Sequence, residues 1–174
     1  MKRFDVKHLI ITIIVGLISI GINVFIIVQS SLDGASSTES SSHIVNFLKT
    51  IINTFAHDAI NESNIDAFSG IIRKLVGHFG LFLVSALFFS WWVYLMRIYI
   101  KSFERYIGLI ISLVFGLTLA SLTELIQIYT PGRSGEFRDI LIDYSGYIIG
   151  TGIILLIIFI IYKVKENKET KMDV

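Results

Sequence analysis

Residues 123–143 read TELIQIYTPGRSGEFRDILID, and long apolar runs flank them on both sides. Glu124 and Gln127 stand at the end of one run, and Asp139 and Asp143 at the start of the next. An ionisable side chain at a membrane-helix centre costs roughly 2.5–3.5 kcal/mol on insertion scales, so it usually marks a site. Pro131 and Gly132 break the helical pattern between the runs. The two runs are therefore predicted to form an antiparallel helical hairpin with a charged tip at one face of a bilayer.

Composition agrees. Of 174 residues, 53% are hydrophobic, which is too apolar for a soluble domain of this size. Backbone groups in lipid find no partners but each other, so long uncharged runs become helices. Four runs approach the 20 or so residues a span needs: about 9–28, 79–100, 107–128 and 140–162. The expected class is all-α, a polytopic membrane helix bundle forming one domain over 1–174. The first run is expected to stay as a span, because its apolar core exceeds the length of a signal-peptide core. Gly146 and Gly150 form a pair of small residues one turn apart, suited to close helix contact. A net charge of +1 excludes an electrostatic case for nucleic acid. The absence of cysteine excludes disulfides, thiolate metal sites and cysteine nucleophiles.

Basic residues set the orientation. Ten of the fifteen fall on one side: Lys2, Arg3, Lys7, Arg97, Lys101, Arg105, Lys163, Lys165, Lys168 and Lys171. Lys49, Arg73, Lys74, Arg133 and Arg138 fall on the other. Both termini are thus expected in the cytoplasm of a multi-pass cell-membrane protein, with the segment 29–74 and the hairpin tip outside. That outer segment opens Ser-rich, which reads as a flexible loop. It continues with Ile44, Phe47, Leu48, Ile51, Ile52 and Phe55 at helical spacing, an amphipathic stripe expected on the outer surface. Ser40, Ser41 or Ser42 is the expected cap of that helix.

Helical spacing gathers the polar residues. Thr123, Glu124 and Gln127 share a face of the third span, and Asp139, Asp143, Gly146 and Gly150 share a face of the fourth. His78 begins the second span at the same depth, preceded one turn earlier by Arg73 and Lys74. The expected binding set is Arg73, Lys74, His78, Glu124, Gln127, Arg133, Arg138, Asp139 and Asp143. Two readings stay open. Arg133 and Arg138, with Arg73 and Lys74, match the oxygens of a phosphate-like anion, while the carboxylates orient them, act as general base or hold a divalent ion. Alternatively, Glu124 and Asp143 pair with Arg133 and Arg138 only to pin the tip. Glu124, Asp139 and His78 are the catalytic candidates if chemistry occurs. The His and acids follow no HExxH or other metal spacing, so neither a metal nor a cofactor is expected.

These residues resemble the signature of the VanZ-like membrane proteins. Its pattern is close to E-x-x-Q-x-x-x-P-x-R, followed by a D and a further D or N before a Gly-rich start of the last span. Glu124, Gln127, Pro131, Arg133, Asp139, Asp143, Gly146 and Gly150 fall on it. RKLVGHFGLF at 73–82 is similar to the family's basic pair followed by a His and an aromatic, through Arg73, Lys74, His78 and Phe79. The Ser-rich stretch after the first span also looks like that family. Val76-Gly77 departs from the more usual alanine. The resemblance implies four spans and a link to low-level resistance to the glycopeptide teicoplanin, and it leaves the molecular activity open.

The expected function is recognition of an anionic membrane lipid or lipid-linked cell-envelope precursor in an outer-leaflet polar pocket. An enzyme acting on such a headgroup and a scaffold without ligand are the alternatives. No nucleic-acid partner is expected.

Overall fold

The computed structural model describes residues 6–97, 99 and 105–172, with side chains over 6–97, 99 and 107–168. Lys2, Arg3 and Lys101 of the basic side lie outside the described residues, as do the side chains of Arg105 and Lys171. The elements run α1 (Val6–Ser31), α2 (Gly34–Phe55), α3 (Ile65–Ile72), a π-helical segment (Arg73–Gly80), α4 (Leu81–Met96), α5 (Arg105–Ile128) and α6 (Phe137–Met172). Among the described residues there is no strand.

Four helical stretches are long and apolar enough to cross a membrane: Val6–Ser31, Ile65–Met96, Ile107–Ile128 and Phe137–Lys168. Their outward faces carry Ile10, Leu17, Val24, Val114, Leu156 and Ile160, all exposed. Their inward faces bury Asn23, Ser85, Ser112, Thr123 and Thr151 beside the core of Ile26, Phe82, Ala86, Phe89, Leu119 and Tyr147. An apolar exterior around a partly polar interior suits hydrocarbon as the solvent. At about 1.5 Å per residue, the 36 residues of α6 extend about 54 Å, well beyond a hydrocarbon core of about 30 Å.

The second long apolar helix reaches further than the expected span. It continues back from residue 79 through the π-helical segment to Ile65. Arg73 and Lys74, expected in the outer loop, are therefore helical residues continuous with it, and so is His78, expected at its start. Asp66, Ser69 and Gly70 hid this first stretch, since they interrupt its apolar rhythm.

The Ser-rich segment also differs. It is helix from Gly34 onward rather than a loop. Its cap is Asp33, whose side chain accepts from the Ser36 N–H at 2.8 Å. Ser40, Ser41 and Ser42 lie within the helix. Ser41 Oγ and Ser42 Oγ donate back to the carbonyls of Thr38 and Glu39, which satisfies the hydroxyls and keeps them from opening the helix. The predicted stripe is present on α2, but Phe47 and Phe55 are exposed and Val45 is the buried residue of the helix.

The α4 and α6 helices pack side by side with parallel register. A Cβ at Gly146 would run into the Phe79 carbonyl, and one at Gly150 would meet the Leu83 carbonyl and Ala86. Both pairs step by four residues, so the two glycines form the contact stripe expected of them. The same register continues upward as Lys74 against Asp139 and His78 against Asp143. The close backbone approach at Gly146 thus sets the distance at which the charged side chains one turn above it meet.

Candidate functional site

At the end of the bundle that holds the α5–α6 connection, a cavity of about 270 Å³ opens between α1, α2, the π-helical segment, α5 and the tip. Arg73, His78, Gln127, Arg133 and Asp143 line it. The rest of its wall is partly apolar, with Phe25, Ile44, Ile72, Val76 and Phe82, and partly hydroxylic, with Ser37 and Ser40.

Its charged residues divide into two groups. The first is an acidic floor around His78. His78 Nδ1 is 3.0 Å from Asp143 Oδ1 and 3.9 Å from Glu124 Oε1, and Nε2 is 3.8 Å from Asp139 Oδ2. Glu124, Asp139 and Asp143 are all buried, Asp143 completely so. Glu124 is held in place by Gln127 Nε2, which donates to Oε1 at 3.0 Å, and by the Glu136 N–H, which donates to Oε2 at 2.9 Å. Lys74 Nζ donates to Asp139 Oδ1 at 2.7 Å and lies 3.5 Å from Glu136 Oε2. Asp143 Oδ2 is buried with no hydrogen-bond partner.

The second group is a cationic rim. Arg133 donates to Ser37 Oγ at 3.0 Å and to the Gln29 carbonyl at 3.3 Å. Arg73 reaches the same Ser37 Oγ at 3.5 Å. Burial and then the neighbouring Arg73 charge hold the Arg133 guanidinium below its ordinary pKa. Two like charges share one hydroxyl, and among the described residues neither has a carboxylate within ion-pair distance.

Position by position, the expected set splits. Arg73, His78, Gln127, Arg133 and Asp143 meet in the cavity, and Glu124 supports them from behind through His78 and Gln127. Lys74 and Asp139 form a pair beside the cavity rather than lining it. Arg138 is exposed on the first turn of α6 and makes no hydrogen bond or ion pair among the described residues. The suggested pinning of the tip by Glu124 or Asp143 with Arg133 or Arg138 does not occur. Arg133 turns toward α1 and α2, because the tip is tied there by the Gly34 N–H donating to the Pro131 carbonyl at 3.0 Å.

Three contributors went unseen in the sequence. Ser37 joins the two arginines, Glu136 fixes Glu124 through its backbone, and Asn23 receives the Ser85 hydroxyl at 2.8 Å in the bundle core. Glu136 had a visible signal, since it stands three residues before Asp139 at a helix start. Ser37 had none among its neighbouring serines.

No curated protein and no solved structure matches the chain. A family model described as VanZ/LLP1 covers residues 9–160, which reaches into all four spans and takes in the rim and the floor. The chain therefore belongs to the VanZ/LLP1 family of membrane proteins.

Proposed function

We propose that the cavity takes the anionic headgroup of a membrane lipid or lipid-linked cell-envelope precursor from the outer leaflet, and that this occupancy alters susceptibility to teicoplanin. The observation that carries this reading is the Arg73–Arg133 pair on Ser37. Two guanidiniums held together without a carboxylate form a ready site for an anion, and their planar forks match phosphate oxygens. The apolar wall of Phe25, Ile44, Ile72 and Val76 suits the first methylenes of an acyl or prenyl chain. The family's link to glycopeptide resistance fits an action at lipids on the outer face of the membrane.

Arg133→Lys and Arg73→Lys keep the charge and lose the fork. Mass spectrometry of lipids copurifying with each variant tests the reading. Both variants are expected to fold, to lose anionic lipid at least tenfold, and to lose any protection against teicoplanin. An unchanged lipid complement in both sinks the proposal.

A second reading, an enzyme on such a headgroup, has one observation in its favour. His78 and Asp143 stand 3.0 Å apart on the cavity wall, in the relation of a base to its orienting carboxylate. Asp139 is engaged by Lys74 and does not line the cavity, so His78 is the better base in this reading. Headgroup release from a radiolabelled lipid pool by wild type but not by His78→Gln would favour it.

A further inference from the structure

We infer that His78, Glu124 and Asp143 bind a zinc-class divalent cation at the floor of the cavity. The inference goes beyond headgroup recognition and does not rest on a lipid filling the cavity.

The first ground is charge. Lys74 answers Asp139 and Glu136, one cation against two carboxylates. Glu124 and Asp143 remain, both buried, and the only basic side chain that either touches among the described residues is His78. Even a charged imidazole leaves this floor negative. Buried carboxylates without compensation are costly, and the arginines sit across the cavity on Ser37.

The second ground is geometry. One ligand atom from each of the three residues can be chosen so that all lie within 4.8 Å of one another. Donors about 2.1 Å from a tetrahedral zinc ion lie about 3.4 Å apart, and the His78 Nδ1 distances of 3.0 and 3.9 Å straddle that value. The three residues come from three different helical segments, so the tertiary fold builds the set. This explains why no compact motif announced it. Asp143 Oδ2 supplies an independent sign of a missing partner: it is fully buried and accepts no hydrogen bond, and Asp143 lines the cavity together with His78.

One imidazole with two carboxylates suits zinc and the other late first-row divalent ions over magnesium and calcium, which take oxygen-only shells. Three protein ligands leave a fourth position, the arrangement of an open rather than a closed site. Since His78 and Asp143 line the cavity, that position would be reached from it. With a cation on the floor, a phosphate oxygen bound by Arg73 and Arg133 meets positive charge on both sides instead of bare carboxylates.

The test is metal content of the full chain in detergent. Protein is dialysed against zinc chloride, then against metal-free buffer, and assayed by plasma mass spectrometry. Wild type is expected to keep one zinc per chain. Asp143→Asn and Glu124→Gln, nearly unchanged in shape, are expected to bind at least tenfold more weakly. Arg133→Lys is expected to keep zinc fully while losing lipid. X-ray absorption of zinc-loaded wild type is expected to report one imidazole among oxygen ligands, which holds even if a variant fails to fold. Wild type without zinc, zinc undiminished in both acid variants, or a spectrum lacking imidazole overturns the inference. Lipid measured in the same preparations separates the two ideas: anionic lipid retained by zinc-free wild type removes the metal and leaves headgroup recognition standing.

Discussion

Asp143 on α6 holds His78 with one carboxylate oxygen, 3.0 Å from Nδ1, while its other oxygen is buried without a partner. The pair joins two helices that run in parallel register through Gly146 and Phe79. It ties the charged floor to the helix packing beneath it.

Removing His78 strands a buried acceptor. His78→Ala is expected to cost about 1–3 kcal/mol. Asp143→Ala alone relieves like-charge crowding while losing the same contact, so its effect is smaller. A double-mutant cycle read by thermal melting in detergent is expected to give a coupling of about 0.5–3 kcal/mol. Additive losses would mean that the two side chains do not meet.

The glycine stripe makes a second prediction. Gly146→Ala pushes a methyl group into the Phe79 carbonyl, which nothing nearby can yield to. Overpacking of this kind costs about 1–3 kcal/mol. Gly152→Ala meets nothing within 4 Å and is the control, expected to match wild type or to gain up to about 1 kcal/mol from helix propensity. Equal melting temperatures for the two variants would contradict the close approach of α4 and α6.

The start of α2 should respond to acid. The Ser36 N–H, then the Ser36 side chain and the Ala35 N–H, hold the Asp33 carboxyl below its ordinary value. A depressed folded-state pKa means that the cap contributes fully above about pH 3.9, the unfolded value, and is lost as pH falls through the folded value. Hydrogen exchange at the Ser36 amide, corrected for its intrinsic rate, is expected to accelerate below that point. Asp33→Asn keeps an acceptor without the charge and should remove the step. A pH-independent protection factor in wild type would show that Asp33 does not cap α2.

Orientation is open to direct labelling. Basic residues concentrate at one end of the bundle, including Lys163, Lys165 and Lys168 at the far end of α6. Cysteines at Ser63 and Ser134, both exposed, are expected to react with an impermeant thiol reagent on whole cells. A cysteine at Lys168 is expected to react only after lysis. The reverse pattern would turn the cavity toward the cytoplasm.

The hairpin of α5 and α6 was legible because its signals are local: Pro131-Gly132 stops one helix, and three- and four-residue spacings align the acids on either side. The glycine stripe was legible for the same reason. Lys74 and His78 meet the acids, whereas Arg73 turns to Ser37, and these partners were not legible. Which acid meets Lys74 depends on how α6 slides along the second span, and residues 65 apart in sequence carry no trace of that. Arg133 misled most. A charge beside carboxylates in sequence suggests an ion pair, yet the Gly34–Pro131 hydrogen bond draws the tip toward α2 and hands Arg133 to Ser37.

The π-helical segment from Arg73 to Gly80 has a genetic consequence. Such a stretch behaves like one residue inserted into an α-helix, and it rotates everything on one side of it relative to the other. Lys74 and His78, four residues apart within it, both meet α6. Substitutions within the segment leave its length intact, whereas deleting Gly77 would wind it back to regular helix and swing Arg73 and Lys74 by about 100° around the axis relative to α4. The site thus depends on length as well as on residue identity: the number of residues between Ile72 and Leu81 is itself part of its specification.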